Sequence, residues 1–333
     1  MKKLINDPND YVDEALDGLT LAFPSLVRDG ANGRVIRRSD GARHGKVGIA
    51  SGGGFGHLPL FTGYVGKGLI DTCSIGNVFE GPNIDSCIDA IRFADGGRGV
   101  LRLYGNYGGD RMNFDMAGEV LEDEGIRCTT VLGTDDIASG SADDIGRRRG
   151  VAGLIYAYKA AGACADTGAD LEEVTRIAAK AVAATRTIGV GLAACRLPSS
   201  AKPSFDLGED QIEMGIGIHG EPGIWRDTLR TADIIADEMV ERLLADLPPV
   251  SQQSEVSVLV NGLGATPLDE LFIVYRRVKT RLDQSGLSVV QPLIGNYVTS
   301  MEMQGVSVSL FHLDEELKAL LQAPAECPFW RVG

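Results

Sequence analysis

The chain has 333 residues, 44% of them apolar and 23% charged, which fits a globular protein of one large or two ordinary domains. Acidic residues outnumber basic ones 46 to 32, and no Lys/Arg run is long enough to track a phosphate backbone, so the composition argues against nucleic-acid binding. The amino terminus lacks an apolar signal core and no apolar run reaches the roughly 18 residues of a membrane span. With six cysteines and no Cys-x-x-Cys pair, the expected setting is a reducing cytoplasm, with the cysteines as small buried thiols.

Residues 11–23 carry apolar side chains at helical spacing, with Asp10 placed as N-cap. Residues 46–50 predict a short strand running into the loop Ser51-Gly-Gly-Gly-Phe-Gly-His57, with a helix after it. Helix patterns at 83–94 and 112–124 alternate with strand patterns at 99–104 and 126–132. Two further helices are expected at 150–165 and 170–185, with Arg147-Arg148-Arg149 as a solvated helix start. A second strand-rich region begins at 187–194, so the domain boundary is placed near 185, giving domains 1–185 and 186–333. There the pattern predicts a loop at 195–208, an amphipathic helix at 226–244, a strand at 255–260, a helix at 268–284, a strand at 305–310 and a helix at 314–321. The fold class is α/β, as two α/β domains each with a mixed sheet flanked by helices.

Three constellations carry chemistry. The stretch Met-Gly-Ile-Gly-Ile-His-Gly-Glu-Pro-Gly at 214–223 presents His219 on a glycine-flanked turn with little to pack against. That imidazole is open to roles as base, nucleophile towards a carbonyl, or structural group; no second His or Cys stands at metal-ligand spacing, which disfavours a metal. The glycine loop ending at His57 reads as an anion cradle or a tight crossover. It has Gly-His-Leu where a P-loop needs Gly-Lys-Ser/Thr, and His57 where a dinucleotide fingerprint needs glycine, so the NAD or FAD oxidoreductase reading falls. Asp110, in Gly-Asn-Tyr-Gly-Gly-Asp after a strand, is placed as a general base or hydroxyl acceptor, or as the N-cap of the next helix. Thr266 is expected to cap the helix after a fourth glycine turn, and His44 and His312 read as structural or solvated.

These stretches together resemble the substrate-binding subunit of the dihydroxyacetone kinase family over almost the whole chain. The landmarks are Ser51-Gly-Gly-Gly with Gly56-His57, Gly63-Tyr-Val-Gly-Lys-Gly68, Gly109-Asp110 with Asn113-Phe114, and the motifs at 214–223 and 261–267. The resemblance implies that His219 adds to the ketone carbon of a short ketose as a covalent hemiaminal. It implies that Gly54, His57 and Asp110 hydrogen-bond the substrate hydroxyls, with Asp110 as base and His57 assisting. It further implies a homodimer of kinase subunits, inactive alone, that binds no cofactor itself; ATP or ADP with Mg²⁺ sits on a separate helical nucleotide-binding subunit, charged by ATP or by a phosphotransferase-system protein. A relative acting as a ketose-sensing transcriptional co-activator is the alternative. Two departures stand out: Leu58 replaces the family's usual glutamate, and Gly105 its common lysine. They imply a larger ketose such as erythrulose.

Overall fold

The computed structural model describes residues 2–246 and 254–333. The first part of the chain forms α1 (Tyr11–Ala22), β1 (Leu26–Asp29), β2 (Val35–Arg38), β3 (Gly48–Phe55), β4 (Thr72–Val78), α2 (Ile84–Ala94), β5 (Val100–Gly105), α3 (Gly108–Asp123) and β6 (Cys128–Gly133). α1 turns Val12, Leu16 and Leu19 inward, and Asp10 makes no side-chain cap bond. Asn83 does cap α2, accepting the Ser86 N–H.

The six strands make one sheet in the order β1-β2-β4-β3-β5-β6. β4, β3, β5 and β6 run parallel, and β1 and β2 add an antiparallel edge. α2 and α3 cover it through Cys87, Ile91, Phe114 and Leu121, packed on Ala50 and Val100. Since β3 lies between β4 and β5, the chain leaves β3 to one side and recrosses to the other. In open α/β sheets such a reversal is where ligands are held, outside the carboxyl ends of the strands.

Two helices follow, α4 (Leu154–Asp166) and α5 (Leu171–Ala183), and the chain then forms the second sheet. Its elements are β7 (Thr185–Ala193), β8 (Gln211–Met214), β9 (Trp225–Thr228), α6 (Ala232–Ala245), β10 (Glu255–Gly262), α7 (Leu268–Gln284), β11 (Ser288–Val289), β12 (Leu293–Gly295), β13 (Gln304–Leu313) and α8 (Glu315–Gln322). The chain ends in a small hairpin of β14 (Ala325–Glu326) and β15 (Arg331–Val332). The second sheet runs β11-β10-β13-β7-β8-β9, with β12 also on β10; the β10 pairs with β11 and β12 are parallel and the rest antiparallel. Its core joins Ile188, Val258 and Val308 to Met239 of α6 and Val278 of α7. Both sheets are therefore mixed and flanked by helices.

The compact units are not the two continuous halves expected at 1–185 and 186–333. One comprises Met1–Gly133, Ile155–Lys180 and Ala319–Gly333; the other comprises Thr134–Leu154 and Ala181–Lys318. The 134–154 excursion joins the second unit because it pairs with β7: Thr187 N donates to Asp135 O at 2.8 Å and Ile137 N to Thr187 O at 3.0 Å. The C-terminal hairpin joins the first because Lys67 and Glu326 exchange backbone bonds at 2.9 Å, which also accounts for the 63–68 glycine motif as structural.

Several elements differ from expectation. Gly52, Gly53 and Gly54 belong to a fully buried strand, and no α-helix follows it directly. The start of the expected 226–244 helix is β9, paired to β8 through Met214 and Trp225. Thr266 is not a cap; its hydroxyl exchanges bonds of 2.7 and 2.8 Å with the Gly305 backbone. No helix among the described residues is long and apolar enough to cross a membrane.

Candidate functional site

Gly54, His57 and Asp110 all converge on one turn that follows β4. Phe79, in the left-handed region at φ 61°, lets this turn fold back over the end of β3. The backbone of Phe79 and Glu80 passes so close to Gly54 that a Cβ there would lie 2.8 Å from Glu80 N. His57, only 2% exposed, stacks on Phe79 with ring centroids 5.0 Å apart and 16° between planes. Gly81 lies against the Asp110 carboxylate: a Cβ there would stand 2.5 Å from Oδ1. All three expected residues of this unit thus surround residues 79–81, which carry no chemical motif of their own. The signals available in the sequence are Gly76 and the Gly81-Pro82 pair, marks of a tight turn after a β-branched run.

Asp110 is not an N-cap. α3 begins at Gly108 with Tyr107 as its N-cap, so Asp110 sits in the first helical turn, 6% exposed. The Asn113-Phe114 motif holds this end in place: Asn113 Nδ2 donates to Pro82 O at 2.7 Å, and Phe114 is fully buried against Tyr104 at 4.4 Å.

In the other unit His219 stands on the turn after β8. Gly215 and Gly220 take φ values of 82° and 84°, which glycine adopts freely. Gly217 N donates to Glu221 O and Gly220 N to Gly217 O, both at 3.0 Å, closing the turn. The ring is 23% exposed, and its Nδ1 lies 3.0 Å from Glu221 Oε1, while Glu221 Oε2 accepts the His219 backbone N–H at 2.9 Å. Burial would raise the Glu221 carboxyl, but the His219 hydrogen bond and charge and the Arg149 guanidinium outweigh it and hold it down to about 2. The 261–267 motif supports the turn indirectly. Asn261 Oδ1 accepts from Tyr297 N and Val298 N at 2.9 and 2.8 Å, and beyond that loop Ser300 Oγ donates to Ile218 O.

The Arg147-Arg148-Arg149 run is not a solvated helix start. Arg148 is fully buried with both Nη atoms on Asp246, at 2.9 and 2.5 Å. Arg149 is 14% exposed and bonds Asp136 at 2.9 Å. His44 is exposed and His312 fully buried, so neither joins the site. No group of three His, Cys, Asp or Glu side chains that could hold a metal occurs among the described residues.

These features define a class: a two-unit α/β protein with mixed sheets, a buried aspartate at a helix head in one unit and a glycine-borne histidine in the other. The chain belongs to the dihydroxyacetone kinase family, whose Dak1 domain matches residues 17–329. It is 43% identical to the dihydroxyacetone-binding subunit DhaK of PTS-dependent dihydroxyacetone kinase 2 from Listeria innocua, over the whole of both chains. It is 41% identical to the L-erythrulose 1-kinase of Mycolicibacterium smegmatis, covering all of this chain and 58% of that one. Among solved structures it resembles the dihydroxyacetone kinase of C. freundii with a TM-score of 0.91 at 31% identity, covering 99% of this chain and 60% of that one. It also resembles the dihydroxyacetone kinase operon co-activator DhaQ with a TM-score of 0.90 at 33% identity, covering 98% and 99%. The chain therefore spans only about three fifths of the two longer kinases.

Proposed function

We propose that this chain is the ketose-binding subunit of a two-component kinase. The carrying observation is the pairing of His219 with an ionised Glu221 in a chain that also retains a buried Asp110 at the head of α3. In the reaction, the Nε2 lone pair forms a bond to the ketone carbon and the C=O π pair moves to oxygen. The oxygen gains one proton and the ring gives up the one on Nδ1, which faces Glu221, so a neutral hemiaminal results without any redox partner. Capture selects ketoses over polyols, which offer no carbonyl. The tether also removes much of the entropic cost of positioning, the main requirement of phosphoryl transfer. Gly54 and His57 bind substrate hydroxyls. Asp110 takes the proton of the hydroxyl that attacks phosphorus, as its O–H bond breaks, the new O–P bond forms and the bond from phosphorus to the donor's leaving oxygen breaks.

We place no nucleotide–Mg²⁺ site at the glycine-rich stretch of β3. Gly52–Gly54 lie in a strand rather than a cradle, with Phe61 close over Gly53. The phosphoryl group is therefore assigned to a helical nucleotide-binding partner, carrying ATP or ADP with Mg²⁺ and charged by ATP or by a phosphotransferase protein. The chain alone phosphorylates nothing, and it works as a homodimer in the cytoplasm. Intact-mass or ¹³C NMR measurement with dihydroxyacetone tests capture: an adduct forms on the wild type and not on His219→Ala. An adduct that persists in His219→Ala overturns the assignment.

Leu58 and Gly105 support a larger substrate. Leu58 is partly buried beside His57, and Gly105 is buried at the end of β5, so two charged side chains are replaced by an apolar one and by none. We expect kcat/KM for erythrulose to exceed that for dihydroxyacetone with the cognate partner; the reverse order sinks this point. The near-complete mutual coverage with the co-activator favours a second reading, a ketose sensor. Phosphorylation supported in trans by the nucleotide-binding subunit decides for the kinase, since a sensor needs capture but has little use for Asp110.

A further inference from the structure

The ketose reading leaves Arg149 unused. Its Nε and Nη2 both lie 2.9 Å from Asp136 Oδ2, and its Nη1 lies 3.8 Å from Glu221 Oε2. Asp136 is 4% exposed and Arg149 14%, so the ion pair is shielded from solvent. Glu221 in turn meets His219 twice, through the backbone N–H at 2.9 Å and through Nδ1 at 3.0 Å. All four residues belong to the same compact unit. Charge alternates along the row: Asp136 negative, Arg149 positive, Glu221 negative, then the imidazole. Gly217 leaves room for it, since a Cβ there would overlap Glu221 Oε2 and stand 2.6 Å from Arg149 Nη1.

We propose that Arg149, anchored by Asp136, is a positioning residue that turns the Glu221 carboxylate onto Nδ1 and so commits His219 to the tautomer with its lone pair on Nε2. Which nitrogen of a neutral imidazole keeps the proton is set by the hydrogen bond that the other partner offers. A carboxylate on Nδ1 makes that bond charge-assisted, and at this strength it biases the tautomers roughly 10- to 100-fold. The Glu221 side chain is soft at χ3, so its bond to the His219 backbone N–H is a fixed point that the charge of Arg149 reinforces. Oε2 is held by the His219 backbone N–H at 2.9 Å, and the guanidinium 3.8 Å away adds its positive charge on that same oxygen, which leaves Oε1 for the ring. The same carboxylate faces the positive charge that the ring acquires as Nε2 bonds to carbon. The consequence for catalysis rests on the capture reading given above; the tautomer itself does not.

The test is ¹⁵N NMR of histidine-labelled protein at neutral pH. The chain has only four histidines, and His219→Gln identifies the signal. The wild type shows His219 protonated on Nδ1. Arg149→Met shifts the ring towards a mixture of tautomers, and Arg149→Lys restores part of the wild-type signal. With [2-¹³C]dihydroxyacetone, Arg149→Met weakens the adduct roughly 10- to 100-fold. With the nucleotide-binding partner it raises KM while kcat changes far less, because Asp110 is untouched. Gly217→Ala, which wedges the same pair apart, gives the same signature should Arg149→Met fail to fold. A folded Arg149→Met or Gly217→Ala protein with wild-type tautomer overturns the proposal. Absence of any adduct on the wild type refutes the capture reading instead, while the tautomer signals still decide the role of Arg149.

Discussion

Replacing Gly81 by alanine moves the Asp110 carboxylate without touching its chemistry. The new Cβ would stand 2.5 Å from Asp110 Oδ1, whereas ordinary contact begins near 3.4 Å, so the oxygen must retreat by about 0.9 Å. The helix backbone has little freedom to follow, because Asn113 Nδ2 is bonded to Pro82 O at 2.7 Å and Phe114 is fully buried. The carboxylate therefore turns off its preferred rotamer, at about 1 kcal/mol. A displacement near 1 Å in a proton-accepting group costs on the order of 100-fold in rate. We expect kcat, measured with the nucleotide-binding partner at saturating ketose, to fall roughly 100-fold. Ketose affinity falls far less, since His219 is unaltered, and urea unfolding reports a loss of only about 1 kcal/mol. A folded Gly81→Ala protein with wild-type kcat would refute the assignment of Asp110 as base.

Asp110→Asn keeps the shape and removes the base: turnover drops by roughly 10²- to 10⁴-fold while the ¹³C adduct on His219 persists. His312 is fully buried, with neither ring nitrogen hydrogen-bonded among the described residues, and burial with Arg186 nearby lowers its pKa to about 4 from 6.5. The unfolded chain then takes up the proton first, so stability rises with pH between about 4 and 6.5; this group makes urea unfolding at pH 5 roughly 2 kcal/mol less costly than at pH 7. His312→Leu removes that slope, and an unchanged slope contradicts the reasoning. Gly18 stands exposed inside α1 with nothing within 4 Å of where an alanine methyl would sit, so Gly18→Ala raises stability by about 0.5–1 kcal/mol, read as a higher urea midpoint at unchanged m.

The features legible in the sequence are those set within a few residues of each other. α7 runs over Leu268–Gln284 as its apolar spacing predicts, with Leu271, Val274, Val278 and Leu282 buried. The His219 turn is equally local, because its glycines and Glu221 all lie within ten residues. What escaped depends on distant partners. The glycine-rich end of β3 reads as a loop, yet it is a buried strand because Phe61 and Phe114 supply the side chains that its own glycines lack. Arg148 and Asp246 are 98 positions apart, so no local pattern distinguishes that buried pair from a solvated charge run. The left-handed Phe79 is stranger still: a bulky residue there has no sequence signature, since only the packing of His57 and Gly54 around it makes the conformation worthwhile.

This contrast bears on how substrate preference can change in such a subunit. Under the proposed capture reading, discrimination against polyols would come from bond formation at His219, which a ligand without a carbonyl cannot make however well it fits. That part of specificity therefore centres on the turn at 214–223 and its Glu221 contact, which are encoded locally, with Arg149 as the distant support. Discrimination by chain length is instead proposed for the residues around His57 and the end of β5, where Leu58 and Gly105 stand. A methylene more or less in such a region is worth only about 1–3 kcal/mol. Substitutions there can retune the ketose without disturbing capture, and a buried polar group that loses its hydroxyl partner penalises the shorter sugar more than added bulk penalises the longer one. If the capture reading holds, the 214–223 arm would set the chemical class of the substrate, and the surroundings of Leu58 and Gly105 its length.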